Sequence, residues 1–156
     1  MPTLLVVHHT PSANLRQMLD QVIDGAAEAS RQLVDAGAEP VTVRAVPALE
    51  ATAVDALAAD GYLLGTPANL GYMSGALKHF FDTTYNDCLD VTAGRPYGLF
   101  LHGHSDTDGA LSAIERIVTG LRWRAARPPV QHLGPLDEPS LNACWELGAA
   151  LAAGLG

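Results

Sequence analysis

The sequence predicts a doubly wound α/β fold, with a five-stranded parallel sheet and helices on both faces, and three observations predict it. Short apolar runs recur along the chain, each followed by a polar or glycine-containing loop and then by a stretch with helical spacing of apolar residues. Five runs alternating with five helical stretches imply parallel strands, because right-handed crossovers return each helix onto the sheet. The composition, 48% hydrophobic and 17% charged over 156 residues, is that of one domain spanning 1–156 with a core of its own.

The elements follow in order. Residues 3–7 are an apolar β run. Residues 14–36 place Leu15, Met18, Leu19, Val22, Ala26, Ser30 and Leu33 on one helical face, and Gly37 stands as a helix stop. A second strand is expected over 40–46, with Val41, Val43 and Ala45 alternating, and an Ala-rich helix over 48–59. The third strand, 62–65, is apolar throughout, as suits a strand covered on both faces. Residues 66–73 leave its carboxyl end, and Ser74 is placed as the N-cap of a helix. That helix carries Leu77, Phe80, Phe81 and Thr84 on one side, with Lys78, His79 and Asp82 on the other. A turn over 93–96 precedes a strand over 97–102. A helix over 109–124 is marked by Leu111, Ile114, Val118 and Leu121, and a short strand covers 129–133. The last helix starts at Glu138 or Ser140 and reaches Ala153, with Leu141, Cys144, Trp145, Gly148 and Leu151 on its apolar face. Trp123 and Trp145 both fall in helices in this reading and are expected to pack or to meet another subunit.

The net charge of −8 argues against nucleic acid or an anionic membrane as a partner, since both need clustered Lys and Arg. It suits a small molecule or a protein. No signal-peptide pattern follows Met1, and no apolar run approaches membrane-spanning length, so a cytosolic, cytoplasmic location is expected. Cys88 and Cys144 lack metal-clamp or redox-pair spacing and read as buried thiols.

Ligands of such sheets sit beyond the carboxyl ends of the strands. Three loops occupy those ends, over 10–14, 66–73 and 102–109. The first offers hydroxyls, an amide and free backbone N–H groups at a helix start, which suits a phosphate but equally describes a plain capped turn. It lacks the Walker pattern. In the third, His102-x-His104-x-Asp106 has the spacing of part of a zinc hydrolase motif, yet no His follows Asp106, and His132 alone lies downstream; no metal site is assigned. The same loop fails as a nucleophile elbow, because Thr107 stands where the second glycine belongs. It reads as a βα loop in which Asp106 or Asp108 caps the next helix, shaped to close over the edge of a flat aromatic ligand.

Gly65-Thr66-Pro67-Ala68-Asn69-Leu70-Gly71-Tyr72-Met73-Ser74-Gly75-Ala76-Leu77-Lys78, continuing through Phe80-Phe81-Asp82, resembles the flavin-ring loop and following helix of flavodoxin-like NAD(P)H-dependent FMN and quinone reductases. The order of elements matches that family over nearly the whole chain. The resemblance implies FMN as cofactor, its phosphate held by Thr10, Ser12, Ala13, Asn14 and Leu15. It implies that Pro67, Ala68, Asn69, Leu70, Gly71, Tyr72 and Met73 border the isoalloxazine, and that His102, Gly103, His104 and Gly109 line its other side. The chain departs from the family at Ala13-Asn14-Leu15, where flavodoxins commonly read Gly-Asn-Thr, at Leu70, where the reductases often carry an aromatic, and at Tyr72, where they often carry Asn.

The function so implied is electron transfer from NADPH or NADH through bound flavin to a quinone or other small acceptor, with His104 able to supply a proton. A homodimer or homotetramer is expected from the same resemblance. The competing reading is a flavodoxin-type carrier that docks protein redox partners, which the acidic charge would help steer. A phosphoacceptor receiver domain needs an acidic pair after the first strand and an Asp after the third, where this chain has His8-His9 and Gly65-Thr66.

Overall fold

The computed structural model describes residues 1–156. In chain order the elements are β1 (Thr3–His8), α1 (Ala13–Asp35), β2 (Thr42–Pro47), α2 (Ala53–Ala58), β3 (Gly61–Asn69), β4 (Tyr72–Met73), α3 (Gly75–Cys88), β5 (Pro96–Gly103), α4 (Asp108–Gly120), β6 (Arg124–Ala125), β7 (Val130–Leu133) and α5 (Glu138–Ala153). The main sheet is parallel in the order β2-β1-β3-β5, with β6 and β7 both on the free edge of β5. The predicted doubly wound α/β fold is therefore present, with seven strands in place of five.

Alternation along the strands sorts the core into two layers. Leu5, Val7, Tyr62, Leu64, Leu99 and Leu101 face α2, α3 and α4, while Leu4, Val6, Leu63 and Phe100 face α1 and α5. On the second face the helices meet backbone to backbone. A Cβ on Gly25 would stand 1.9 Å from the Trp145 carbonyl oxygen, and one on Gly148 would stand 1.9 Å from that of Val22. Both positions demand glycine so that α1 and α5 can cross.

The extra strands have local causes. β3 runs on past Gly65 to Asn69, turns through Leu70-Gly71 and pairs back as β4, so the expected loop 66–73 is a two-residue β-hairpin. The last strand is broken: β6 pairs with Pro96 and Tyr97, β7 begins opposite Phe100, and the four residues Ala126 to Pro129 stand opposite Gly98 and Leu99 as a bulge. Pro128 and Pro129 lack the N–H groups that would have continued the ladder.

Several details are corrected. The helix expected to reach residue 124 ends at Gly120, because Arg122 takes a left-handed φ of 59° and turns the chain; Trp123 lies beyond the helix and is buried in the core. α2 is shorter than predicted and starts at a capping box of Thr52 with Asp55, while residues 48–50 are a turn that follows β2. The buried face of α5 centres on Cys144, Leu147, Gly148, Leu151 and Ala152, with Leu141 and Trp145 only half buried. In β2, an edge strand, Val46 is buried where Ala45 was expected to be. Cys88 and Cys144 are both buried free thiols, and burial pushes Cys144 up to about 12.

Candidate functional site

β1 sends its chain toward β2 on one side, while β3, on its other side, continues to β5; the gap beyond the carboxyl ends of β1 and β3 is thus where strand order reverses. Ladder pairing of β1 with β3 stops at His8 and Gly65, and the His9 N–H then closes onto the Gly65 carbonyl at 2.9 Å. Two residues further, Pro67 stands at the register whose N–H would point at β1. No strand is there to receive it, so proline costs β3 nothing while its pairing with β5 continues opposite His102.

The first loop enters α1 through Ser12, whose Oγ accepts the Leu15 N–H at 3.1 Å, the N-cap bond. The Arg16 N–H bonds the Ser12 carbonyl at 3.0 Å. The backbone N–H groups of Thr10, Ser12, Ala13 and Asn14 have no acceptor in the protein. They form an open donor set at a helix N-terminus. Thr10 Oγ1 is held 3.0 Å from His8 Nδ1. Burial first, and His9 second, hold His8 below its usual value of 6.5, with Glu50 opposing them. The Leu15 side chain turns into the core, so this residue offers the site only backbone, and that N–H is already engaged.

The hairpin forms the second wall. Leu70 and Gly71 take φ values of 52° and 75°, a left-handed pair that joins Asn69 to Tyr72 across the turn. Leu70 is fully exposed at the tip, and neither Leu70 nor Gly71 has a protein acceptor for its N–H. Thr66 anchors the base: its Oγ1 accepts the Ser74 N–H at 3.0 Å, and the Ser74 Oγ accepts the Leu77 N–H at 3.2 Å to cap α3. Met73 points into the core.

In the third loop, Asp106 Oδ1 accepts the Asp108 N–H at 2.7 Å, and Thr107 Oγ1 donates to Gln131 Oε1 at 2.8 Å. The N-cap of α4 is Thr107, without a side-chain cap bond, rather than either aspartate. His102 is buried with its Nε2 2.7 Å from the Gly134 carbonyl, which places the ring hydrogen on Nε2 and fixes the ring. His104 is exposed and makes no side-chain hydrogen bond.

These walls enclose one cleft of about 320 Å³, lined by Pro11, Ser12, Asn14, Leu15, Pro67, Ala68, Asn69, His102, Gly103 and His104. Nine of the residues that the sequence nominated meet there, contributed by all three loops. Pro11 was not nominated, although its place between Thr10 and Ser12 was a signal. Tyr72 and Gly109 lie instead around a second depression beside α3 and α4. Gly109 serves packing, since a Cβ there would stand 2.0 Å from the Gly71 carbonyl oxygen, and its absence lets α4 abut the hairpin.

No family model matches the chain. It is 37% identical to a flavodoxin of Aquifex aeolicus, over 97% of this chain and 86% of that protein. A probable NAD(P)H dehydrogenase (quinone) of Arabidopsis thaliana is 34% identical over 57% of this chain and 34% of its own length. Among solved structures, flavodoxin 1 of Bacillus cereus superposes with a TM-score of 0.78 over 99% of both chains at 14% identity, a likeness of fold. No helix is long and apolar enough to cross a membrane. With that identity across nearly its whole length, the chain belongs to the flavodoxin family.

Proposed function

We propose that this protein is an FMN-binding oxidoreductase that passes electrons from NADPH or NADH to a quinone or another small acceptor. The observation that carries the reading is the convergence of an unpartnered N–H set at the start of α1, the Asn69–Tyr72 hairpin and the His102–His104 segment on one cleft at the reversal of strand order. The donor set fits a phosphate monoester, since a helix N-terminus with free N–H groups favours a dianion. The cleft fits the edge of a planar ring system, with Pro67, Ala68 and Asn69 on one wall and His102, Gly103 and His104 on the other.

When bound, FMN supplies the redox chemistry, accepting two electrons from a pyridine nucleotide and releasing them to the acceptor. The chain's own work is positioning and electrostatics. Backbone N–H groups of Thr10, Ser12, Ala13 and Asn14 would hold the phosphate, and the unpartnered N–H groups of Leu70 and Gly71 at the hairpin tip, beside the cleft wall formed by Pro67, Ala68 and Asn69, would be available as donors to negative charge on the ring. His104, exposed at the rim, can deliver a proton from its imidazole to an acceptor oxygen. His102 has its Nε2 hydrogen committed to the Gly134 carbonyl and serves as a fixed wall. The protein is read as cytoplasmic, which cell fractionation would test, and as a homodimer or homotetramer, which sedimentation would test.

The experiment is an FMN titration of the purified protein followed by quenching of flavin fluorescence, then oxidation of NADPH or NADH with a benzoquinone acceptor. Saturable one-to-one binding with turnover is expected. The similarity to a flavodoxin over 97% of the chain favours a second reading, a carrier between protein partners. Tight FMN binding without pyridine-nucleotide oxidation would select it.

A further inference from the structure

We infer that the depression between the hairpin and α4 is a phosphate-binding groove for the 2′-phosphoadenosine end of NADPH, which makes NADPH the preferred donor; the assignment of its ligand rests on the oxidoreductase reading. The groove has a volume of about 350 Å³ and is lined by Tyr72, Lys78, Gly109, Ser112, Arg116 and hydrophobic residues of α4.

Charge makes it distinctive. The chain carries 9 Lys and Arg against 17 Asp and Glu, so an anion is repelled over most of the surface. Here α3 and α4, distant in sequence, bring Lys78 and Arg116 to one depression. Lys78 is paired with Asp82, one helical turn on, at 2.5 Å. Arg116 has neither an ion pair nor a hydrogen bond in the protein, leaving its planar fork free for a phosphate. Ser112, one turn before Arg116 on α4, adds a hydroxyl. Tyr72, 40% exposed, presents an aromatic ring on which a purine can stack.

Position supplies the link to the cleft. Asn69 lines the cleft, its cross-hairpin partner Tyr72 lines the groove, and the Gly71–Gly109 contact forms the ridge between them. A molecule lying across that ridge would place a planar redox ring on one side and an anionic purine nucleotide on the other. A pyridine dinucleotide has that shape, and the 2′-phosphate is the group that an arginine with a neighbouring lysine and aromatic ring would single out.

The test uses FMN-loaded protein titrated calorimetrically with 2′,5′-ADP and with 5′-AMP, for wild type, Arg116→Gln and Arg116→Lys. Arg116 is exposed and unbonded, so both variants fold. Wild type is expected to bind 2′,5′-ADP at least about tenfold more tightly than 5′-AMP, with Arg116→Gln erasing that ratio and Arg116→Lys restoring part of it. Equal affinities in wild type, or a ratio that survives Arg116→Gln, would overturn the groove. Parallel NADPH and NADH turnover separates the two claims. Selective 2′,5′-ADP binding without turnover of either nucleotide keeps the groove and removes the oxidoreductase reading; turnover with equal KM values and no 2′,5′-ADP selectivity does the reverse.

Discussion

The two ends of the sheet are built to opposite rules. At the amino ends of β3 and β5, Tyr62 and Trp123 stack at 3.9 Å with their planes 6° apart. The Tyr62 hydroxyl donates to the Ala56 carbonyl at 2.6 Å, Trp123 Nε1 donates to Thr92 Oγ1 at 2.8 Å, and Arg95 Nη1 donates to the carbonyls of Leu57 and Ala59 at 2.8 and 2.7 Å. Burial pushes the Tyr62 phenol up to about 12 against the pull of Arg95. Polar groups there are met by protein. At the carboxyl ends, Thr10, Ser12, Ala13, Asn14, Leu70 and Gly71 keep N–H groups for something else, and a leucine sits exposed in a left-handed conformation. Satisfaction at one end supplies stability that the other end leaves unmade, which is the division expected where a scaffold supports a binding site.

The comparison breaks if the two ends are energetically coupled. Trp123→Ala removes the stack and leaves Thr92 without its donor, and is expected to cost about 3–5 kcal/mol in urea unfolding. FMN affinity, measured below the unfolding transition, should stay within about twofold of wild type. A large loss of affinity would show that the aromatic plug shapes the cleft from the far end.

Ser12→Ala probes the open end, and its effects should divide differently. Loss of the N-cap bond to Leu15 is expected to cost about 1 kcal/mol without ligand. The FMN dissociation constant should rise about tenfold, since a hydroxyl donor to a charged phosphate is lost. Wild type at one hundred times its dissociation constant gains about 2.7 kcal/mol from mass action, and the variant at the same FMN concentration gains visibly less. A variant that loses stability but keeps full FMN affinity would confine Ser12 to capping.

Leu70→Asn should move stability and function in opposite directions. A turn with φ of 52° and 75° at its two central positions favours Asn-Gly, and leucine there carries a left-handed cost of about 1 kcal/mol. The asparagine variant is expected to be more stable by up to that amount. If the exposed leucine covers ligand at the cleft mouth, KM for a quinone rises in the same variant. A gain in stability with unchanged kinetics would leave Leu70 an unexplained strain.

What the sequence revealed follows the same division. β1, β3 and β5 were legible because burial on both faces makes them continuous apolar runs, and Ser74 was legible as a cap because its hydroxyl acts locally. All three loops of the cleft were nominated, since loops at strand ends need only element order to be located. The β3–β4 hairpin was missed: Pro67 argued against a strand, and Leu70-Gly71 lacks the Asn-Gly signature, so only the end of β1 beside Pro67 explains why pairing continues. Trp123 was assigned to a helix because its role depends on Tyr62, sixty-one positions earlier in the chain. The meeting of Lys78 with Arg116 was likewise invisible, since it needs α3 and α4 side by side.

The smallest expected effect is on pH dependence, and it belongs to the open end. His8 has its folded pKa below 6.5, so the unfolded chain binds the proton first as the pH falls. Stability is therefore full above 6.5, declines as the pH drops through that value, and levels off once the folded imidazole also protonates. His8→Gln, which keeps a side-chain polar group beside Thr10, should flatten this limb of a urea-midpoint profile taken between about pH 5 and 8. FMN offers a sharper form of the same measurement. A phosphate dianion on the adjacent N–H set would favour the imidazolium and raise the folded pKa, so saturating FMN should shrink the decline in wild type and leave the variant's profile unchanged in shape. If the wild-type limb keeps its slope with FMN bound, the phosphate does not sit beside His8, and the first loop is a capped turn rather than a cradle.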